Sequence, residues 1–348
     1  MGSDKRTESL FLSACRLNPT SAAPVWFMRQ AGRYLPEYRR IREKYDLLTL
    51  CKTPELAAEI TLQPVRILEV DAAILFADLL LPFSPMGIEF QFEKNEGPVI
   101  KNPIQTPQDV DSLRVFNPEE NLGFVLETIQ IVNKELKGEA PLIGFAGAPF
   151  TLATYLIEGG HSRNFLKTHE FMYHEPEAWK ELMEKLSKIV IHFLKAQLNS
   201  GASAVQLFDS WAGILSPDDY QKFVLPYSSK ILHDISKKGP IIHFSTGTSG
   251  ILDLISQAGG TVIGIDWRIP IDTAWKIIGY NKGIQGNLNP AALLADSKNL
   301  KKQVESILEK AGGRPGYIFN LGHGVFPNTP VDQLKRVVEW VKSYRRST

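Results

Sequence analysis

The 348-residue sequence predicts an α/β fold, a single (β/α)8 barrel of the TIM type. Three observations carry that expectation. Short apolar runs recur eight times, most of them followed by a helix-like segment, which is the pattern of βαβ units and a parallel sheet. Eight such units suit the chain length, since barrels typically take about 250 residues and reach more than about 400 with extensions. The glycine motifs of an open doubly wound sheet are missing. Gly144-Phe-Ala-Gly147 lacks the GxGxxG spacing, and no GxxxxGK followed by Ser or Thr occurs.

The runs are Val25–Met28, Ala72–Ala77, Leu142–Phe145, Ala204–Phe208, Ile241–Phe244, Val262–Ile265, Gly283–Gln285 and Tyr317–Asn320, the seventh being the weakest. Pro54–Leu68, Asn121–Leu136 and Glu177–Leu198 read as helices, the last with an apolar stripe at helical spacing. Ser216-Pro-Asp-Asp, Asn289-Pro290 and Asn328-Thr-Pro330 read as helix starts. After the second run, Ile88–Phe92 and Pro98–Lys101 read as a β-hairpin insertion with its turn near Asn95–Gly97, and in a barrel it would lie over the mouth. No linker or shift in composition divides the chain. Residues 1–348 therefore read as one domain, with residues 1–9 as a flexible N-terminal tail.

Composition is that of an ordinary globular protein, with 43% hydrophobic and 22% charged residues. The net charge of +1 provides no broad field for nucleic acid. No apolar run is long enough to span a membrane, and the N-terminus lacks the apolar core of a signal peptide. The two cysteines, Cys15 and Cys51, form no CxxC and no disulfide framework, which implies buried structural thiols in a reducing compartment. The expected location is the cytoplasm, or a plastid if a transit peptide has been removed.

One stretch stands out, Pro24-Val-Trp-Phe-Met-Arg-Gln-Ala-Gly-Arg-Tyr-Leu-Pro-Glu-Tyr38. It starts apolar and turns into Arg29, Gln30 and Arg33, with Arg39, Arg40 and Arg42 close behind. Five arginines in fourteen residues read either as a solvated basic loop or as a fork-shaped trap for carboxylates or phosphates. Interleaved Trp26, Phe27, Tyr34 and Tyr38 favour a flat or apolar anion.

Barrel chemistry sits at the C-terminal ends of the strands, and here those ends carry Arg29, Asp78, Asp209-Ser210, His243, Asp266, Asn287 and His323. Asp78, between an apolar run and three leucines, is a poorly solvated carboxylate. It reads as a helix cap, as an arginine partner, or as an acceptor of ligand N–H groups. Glycines flank His323, so the backbone there can approach a ligand closely, although a structural histidine fits equally. Tyr155 reads as a hydrogen-bond donor to a ligand or as core packing. Ser210 has no Gly-x-Ser-x-Gly elbow, which argues against a serine hydrolase. No lysine stands at a strand end, which argues against Schiff-base and pyridoxal chemistry.

Pro24–Tyr38 and Gly144-Phe-Ala-Gly-Ala-Pro-Phe-Thr-Leu-Ala-Thr-Tyr155 resemble the two signatures of the uroporphyrinogen decarboxylase family. Leu207-Phe-Asp-Ser210 and Asn320-Leu-Gly-His-Gly324 are similar to its later blocks, and the likeness runs from about Glu8 to Tyr344. The resemblance implies a homodimeric barrel that decarboxylates the four acetate side chains of uroporphyrinogen III to give coproporphyrinogen III, with neither metal nor organic cofactor. Its implied catalytic residues are Asp78, Arg29, Tyr155 and His323. The implied substrate contacts are Arg29, Gln30, Ala31, Arg33, Tyr38, Arg42, Asp78, Tyr155, Phe208, Ser210 and His323. Three rivals stay open. One is a non-catalytic tetrapyrrole-binding protein. Another is a zinc-dependent methyltransferase of similar fold, for which both cysteines lie too early in the chain. The third is a metal-dependent aldolase or hydrolase using Asp78, Asp209, Asp266 and His243.

Overall fold

In the computed structural model, residues 9–93, 97–160 and 162–345 are described. Seven parallel strands form one curled sheet: β1 (Ala73–Ile74), β4 (Leu142–Gly147), β5 (Ala204–Asp209), β6 (Ile241–Ser245), β7 (Val262–Gly264), β8 (Gly283–Leu288) and β9 (Tyr317–Leu321), in that order. The eighth position is the Val25 segment, which makes a single parallel bridge to Phe319. A separate antiparallel pair, β2 (Phe90–Glu93) and β3 (Gly97–Ile100), is the hairpin inserted after β1. Its turn, residues 94–96, lies outside the described residues, as do residues 1–8 of the N-terminal tail. Ser9, the last residue expected in that tail, instead caps the helix Leu10–Cys15 through its hydroxyl.

The first apolar run thus gives one bridge rather than a strand, and the physical reason is visible in its hydrogen bonds. Backbone pairing with β9 is limited to Phe319 N–H donating to the Pro24 carbonyl and Trp26 N–H donating to the Phe319 carbonyl, and side chains supply much of the rest. The Val25 N–H donates to Asp71 Oδ2 at 2.8 Å, while the Asp71 N–H donates to the Val25 carbonyl. Phe27 N–H donates to Gln30 Oε1, and Gln30 Nε2 donates to the Ala72 carbonyl, both at 3.0 Å. On the other side, Met28 N–H donates to Asn320 Oδ1 at 3.1 Å. The chain can therefore turn away at Arg29 without leaving buried amides unpaired.

The seventh run, the weakest on hydrophobicity, is a full six-residue strand, β8. Its polar side chains face inward and are satisfied there. Trp26 Nε1 donates to Gln285 Oε1, and Gln285 Nε2 donates to Gln206 Oε1, each at 3.0 Å. In parallel pairing, opposed residues share a face, so Phe208 lies beside Phe244 in the barrel lumen while Asp209 and Ser245 point toward the helices. Phe145, Phe208 and Phe244 meet edge to face at 5.6 and 5.7 Å and form an apolar floor.

Helix starts follow the expected chemistry in most places. Pro54–Leu68 forms as read, Ser216 accepts the Asp219 N–H, and Asn289 accepts the Ala291 N–H. Asn121–Leu136 divides into Pro118–Asn121 and Gly123–Leu136. The last helix, Val331–Ser343, has Pro330 at its N-cap with no side-chain cap, so Asn328 does not serve there. The hairpin is anchored through the Ile100 N–H to the Gly159 carbonyl, at the end of the Pro149–Glu158 helix, and through Phe90 against Phe83.

The loops that follow β5 and β6 meet backbone to backbone at Gly213. A methyl there would stand 2.3 Å from the Thr246 carbonyl oxygen and 2.7 Å from Gly247. Gly213→Ala should therefore destabilise the fold by about 1–3 kcal/mol. Urea unfolding should show a lower midpoint at unchanged slope, and an unshifted midpoint would refute the close contact.

Candidate active site

Arg29 occupies a left-handed backbone conformation, φ 58°, at the turn that ends the Val25 segment. Such a conformation is uncommon for a residue with a side chain and is tolerated where surrounding contacts over-determine it. Here the turn is fixed by the Gln30 N–H donating to the Phe27 carbonyl and by Tyr34 Oη donating to the Gln30 carbonyl. The methylenes of Arg29 lie on Gly324, where a Cβ would come within 2.4 Å of them. The glycine after His323 is thus the space Arg29 crosses.

Asp78 follows β1. One carboxylate oxygen accepts the Leu80 N–H at 2.9 Å. The other accepts no hydrogen bond among the described residues. Burial pushes the carboxyl above the usual carboxylate range, against the Leu80 N–H and the Arg29 charge, which pull it down. Tyr155, on the Pro149–Glu158 helix, is pushed up by burial and by Asp78 and is held down in part by Arg29. Its ring meets Trp211 at 6.0 Å. His323 follows β9. Burial, helped by Arg29 and Arg268 and opposed by Asp266, lowers it to about 4. Its Nδ1 accepts the Gly324 N–H at 2.8 Å, so the neutral ring carries its proton on Nε2. Arg29, Asp78, Tyr155 and His323 therefore share one end of the barrel and one electrostatic environment.

A second group adjoins it. Tyr38 packs against Phe76 at 5.7 Å and senses both Arg42 and Arg33. It is only 5% exposed, so it backs the cavity more than it lines it. Cys51, buried beside this group, senses both Asp78 and Arg42. Phe208 sits between Phe145 and Phe244 in the floor. Ser210 is partly exposed, and its carbonyl accepts the Thr246 hydroxyl at 2.6 Å, which ties the β5 and β6 loops together.

The Gln30 side chain, expected at a substrate contact, is fully buried with both amide atoms bonded to backbone, so that side chain builds the turn. Ala31 is half-buried, and its N–H has no partner among the described residues. Sequence reasoning missed the anchoring residues Asp71 and Asn320, and it passed over Arg268. An aspartate directly before a run such as Asp71-Ala-Ala-Ile was the one available signal. Both cysteines are buried free thiols pushed upward by burial, and among the described residues no three His, Cys, Asp or Glu side chains gather as a metal site.

Residues 6–344 match the family model described as uroporphyrinogen decarboxylase (URO-D). The chain belongs to the uroporphyrinogen decarboxylase family. It is 55% identical over 339 residues to a uroporphyrinogen decarboxylase of Sorangium cellulosum, covering 97% of each chain. It is 54% identical to one of Carboxydothermus hydrogenoformans, covering 95% of each. Among solved structures, a methyltransferase from Methanosarcina mazei superposes with a TM-score of 0.78 at 18% identity, covering 96% of this chain and 98% of that one. A B12-independent methionine synthase from Shewanella gives 0.57 at 10% identity, covering 83% and 87%. At such identities the likeness concerns the barrel alone. The family supports the decarboxylase resemblance over the methyltransferase rival.

The His323 shift has a defined sign. The folded state resists protonating a ring held at about 4, whereas the unfolded chain takes up the proton near the ordinary 6.5. The histidine's contribution is complete above about pH 6.5 and is lost as the pH falls toward 4. Relative to His323→Gln, the unmodified protein should lose stability across that window in urea unfolding. A constant difference from pH 7.5 to 4.5 would contradict the shift.

Proposed function

We propose that this chain is a carboxy-lyase that converts the four acetate side chains of uroporphyrinogen to methyls, within a single barrel domain and with the pocket of Arg29, Asp78, Tyr155 and His323 as its active site. The observation that carries the reading is the juxtaposition of Arg29 and Asp78 at the strand ends. A tetrapyrrole with acidic side chains and central N–H groups needs cations at its rim and an acceptor at its centre. Family membership supports the same reading.

The substrate supplies its own electron sink. Protonation of a pyrrole α-carbon makes the ring cationic. The carbon–carboxylate bond then breaks, its electron pair flows into the ring, and carbon dioxide leaves. A second proton converts the resulting methylene to a methyl, and the first is returned on re-aromatisation. Asp78 has an oxygen free to accept pyrrole N–H donors. Those donors favour its ionised form, opposing the burial that raises it. An ionised Asp78 would then stabilise the ring cation in a poorly solvated site. Arg29, Arg33 and Arg42 would hold carboxylates, with Arg33 and Arg42 drawn toward the same pocket by Tyr38. His323, neutral with an Nε2 proton, would donate a single hydrogen bond, and Tyr155, held protonated, would do the same. Phe208 gives the macrocycle an apolar floor. Only binding that strengthens in the transition state accelerates the reaction, so the arginines belong on carboxylates that stay.

Incubation with uroporphyrinogen and chromatography of the oxidised products should give coproporphyrin, and absence of any product with fewer carboxylates would defeat the reading. Asp78→Asn should fold with an unchanged melting curve and lose at least about a hundredfold in kcat. Arg29→Ala should raise KM. Full turnover in the first variant would remove Asp78 from the chemistry, and an unchanged KM in the second would remove Arg29 from binding. The family resemblance further implies a cytoplasmic homodimer with facing mouths. Light scattering should then return twice 39.0 kDa, and a monomer mass would dismiss the dimer.

A further inference from the structure

The loop after β7 is pressed onto the loop that carries His323. A Cβ on Gly322 would stand 2.5 Å from the Trp267 nitrogen, so the absence of a side chain there is what lets the two backbones touch. One residue further along that loop is Arg268. Its guanidinium lies 4.4 Å over the Trp267 ring and pairs with the buried Asp266 carboxylate. Asp266 is itself held, since it accepts the Gly247 N–H at 2.6 Å and the Arg268 N–H at 2.9 Å. The stack and the ion pair together orient the guanidinium. Only Nη1 among its side-chain nitrogens donates to a recorded partner, which leaves Nη2 and Nε without an acceptor among the described residues. The side chain is 51% exposed.

The cations of the mouth therefore run in an arc. Arg33 and Arg42 stand near Tyr38, which packs on Phe76 just after β1. Arg29 crosses Gly324 beside His323. Arg268 continues the arc beyond His323, on the β7 side. We propose that Arg268 is a further substrate-binding residue of the uroporphyrinogen pocket, taking a carboxylate on the edge of the macrocycle away from Arg33 and Arg42, and that this carboxylate is a propionate, which the reaction leaves in place. The inference rests on the decarboxylase reading of the pocket. The propionate assignment follows from the fork's orientation, because a fixed bidentate donor on a departing acetate would stabilise the ground state and slow its loss. The field of Arg268 already reaches His323.

The test is steady-state kinetics of Arg268→Ala, Arg268→Gln and Arg268→Lys on uroporphyrinogen and on the porphyrinogen that retains one acetate and all four propionates. Arg268→Ala and Arg268→Gln should each raise KM roughly five- to thirty-fold on both substrates, with kcat within about two-fold of the parent. Arg268→Lys should recover part of the loss, because it keeps the charge and gives up the fork. Arg268→Gln keeps a stem over Trp267 and carries the test if the alanine variant unfolds. An unchanged KM, a fall in kcat alone, or a KM rise confined to uroporphyrinogen would overturn the proposal while leaving the decarboxylase reading intact. No turnover by the unmodified chain would sink both.

Discussion

The mouth of this barrel depends on a seam closed in part by side chains. Between the Val25 segment and its neighbours, Asp71, Gln30 and Asn320 add to a short backbone pairing with β9 the hydrogen bonds that strand backbone supplies elsewhere. Each such bond contributes only about 1 kcal/mol net, but losing one partner leaves a buried amide or carbonyl unsatisfied, which costs about 1–3 kcal/mol. Replacing part of the ladder this way frees the backbone to turn sharply at Arg29. A regular strand would have carried Met28 onward in extended conformation and put the arginine elsewhere. The Asp71 carboxylate, with Lys342 at 3.3 Å, also ties the closing helix to the same seam.

Burial then acts on the charges of the pocket in one direction. It pushes Asp78 and Tyr155 up and His323 down, so each is moved toward its neutral form. Arginine is protonated under all ordinary conditions. The arginines therefore give the mouth a local positive field, although the whole chain carries only +1. That local bias suits a small polyanion and does nothing for a nucleic-acid polymer. The apolar floor of Phe145, Phe208 and Phe244 supplies a face for a flat ring.

Much of this was legible in the sequence, because βαβ alternation and strand-end residues are local patterns. Asp78, Tyr155 and His323 were singled out that way, and the electrostatics group them with Arg29. What the sequence did not reveal shares a cause in long-range partners. Gln30 sits inside an arginine-rich stretch and looked ligand-facing, yet its amide is consumed by Phe27 and by Ala72, 42 residues away. β8 looked weak because Gln285 and Asn287 are polar. Their partners, Trp26 on one side and the carbonyls of Asp266 and Ile269 on the other, come from the Val25 segment and the loop after β7. Arg268 resembled an ordinary surface charge, since nothing in its neighbours reveals that Gly322 lets its loop reach His323.

The contact between Arg29 and Gly324 joins segments near opposite ends of the chain, and so does the bridge from Val25 to Phe319. A ribosome emits the arginine-rich stretch well before the His323 loop, since Met28 and Asn320 are 292 residues apart. Until that loop emerges, the Val25 segment has no β9 to pair with and Arg29 has no glycine to cross. The growing polypeptide thus carries an apolar segment without its β9 partner over that whole interval, and the pocket is completed only when the later segment emerges.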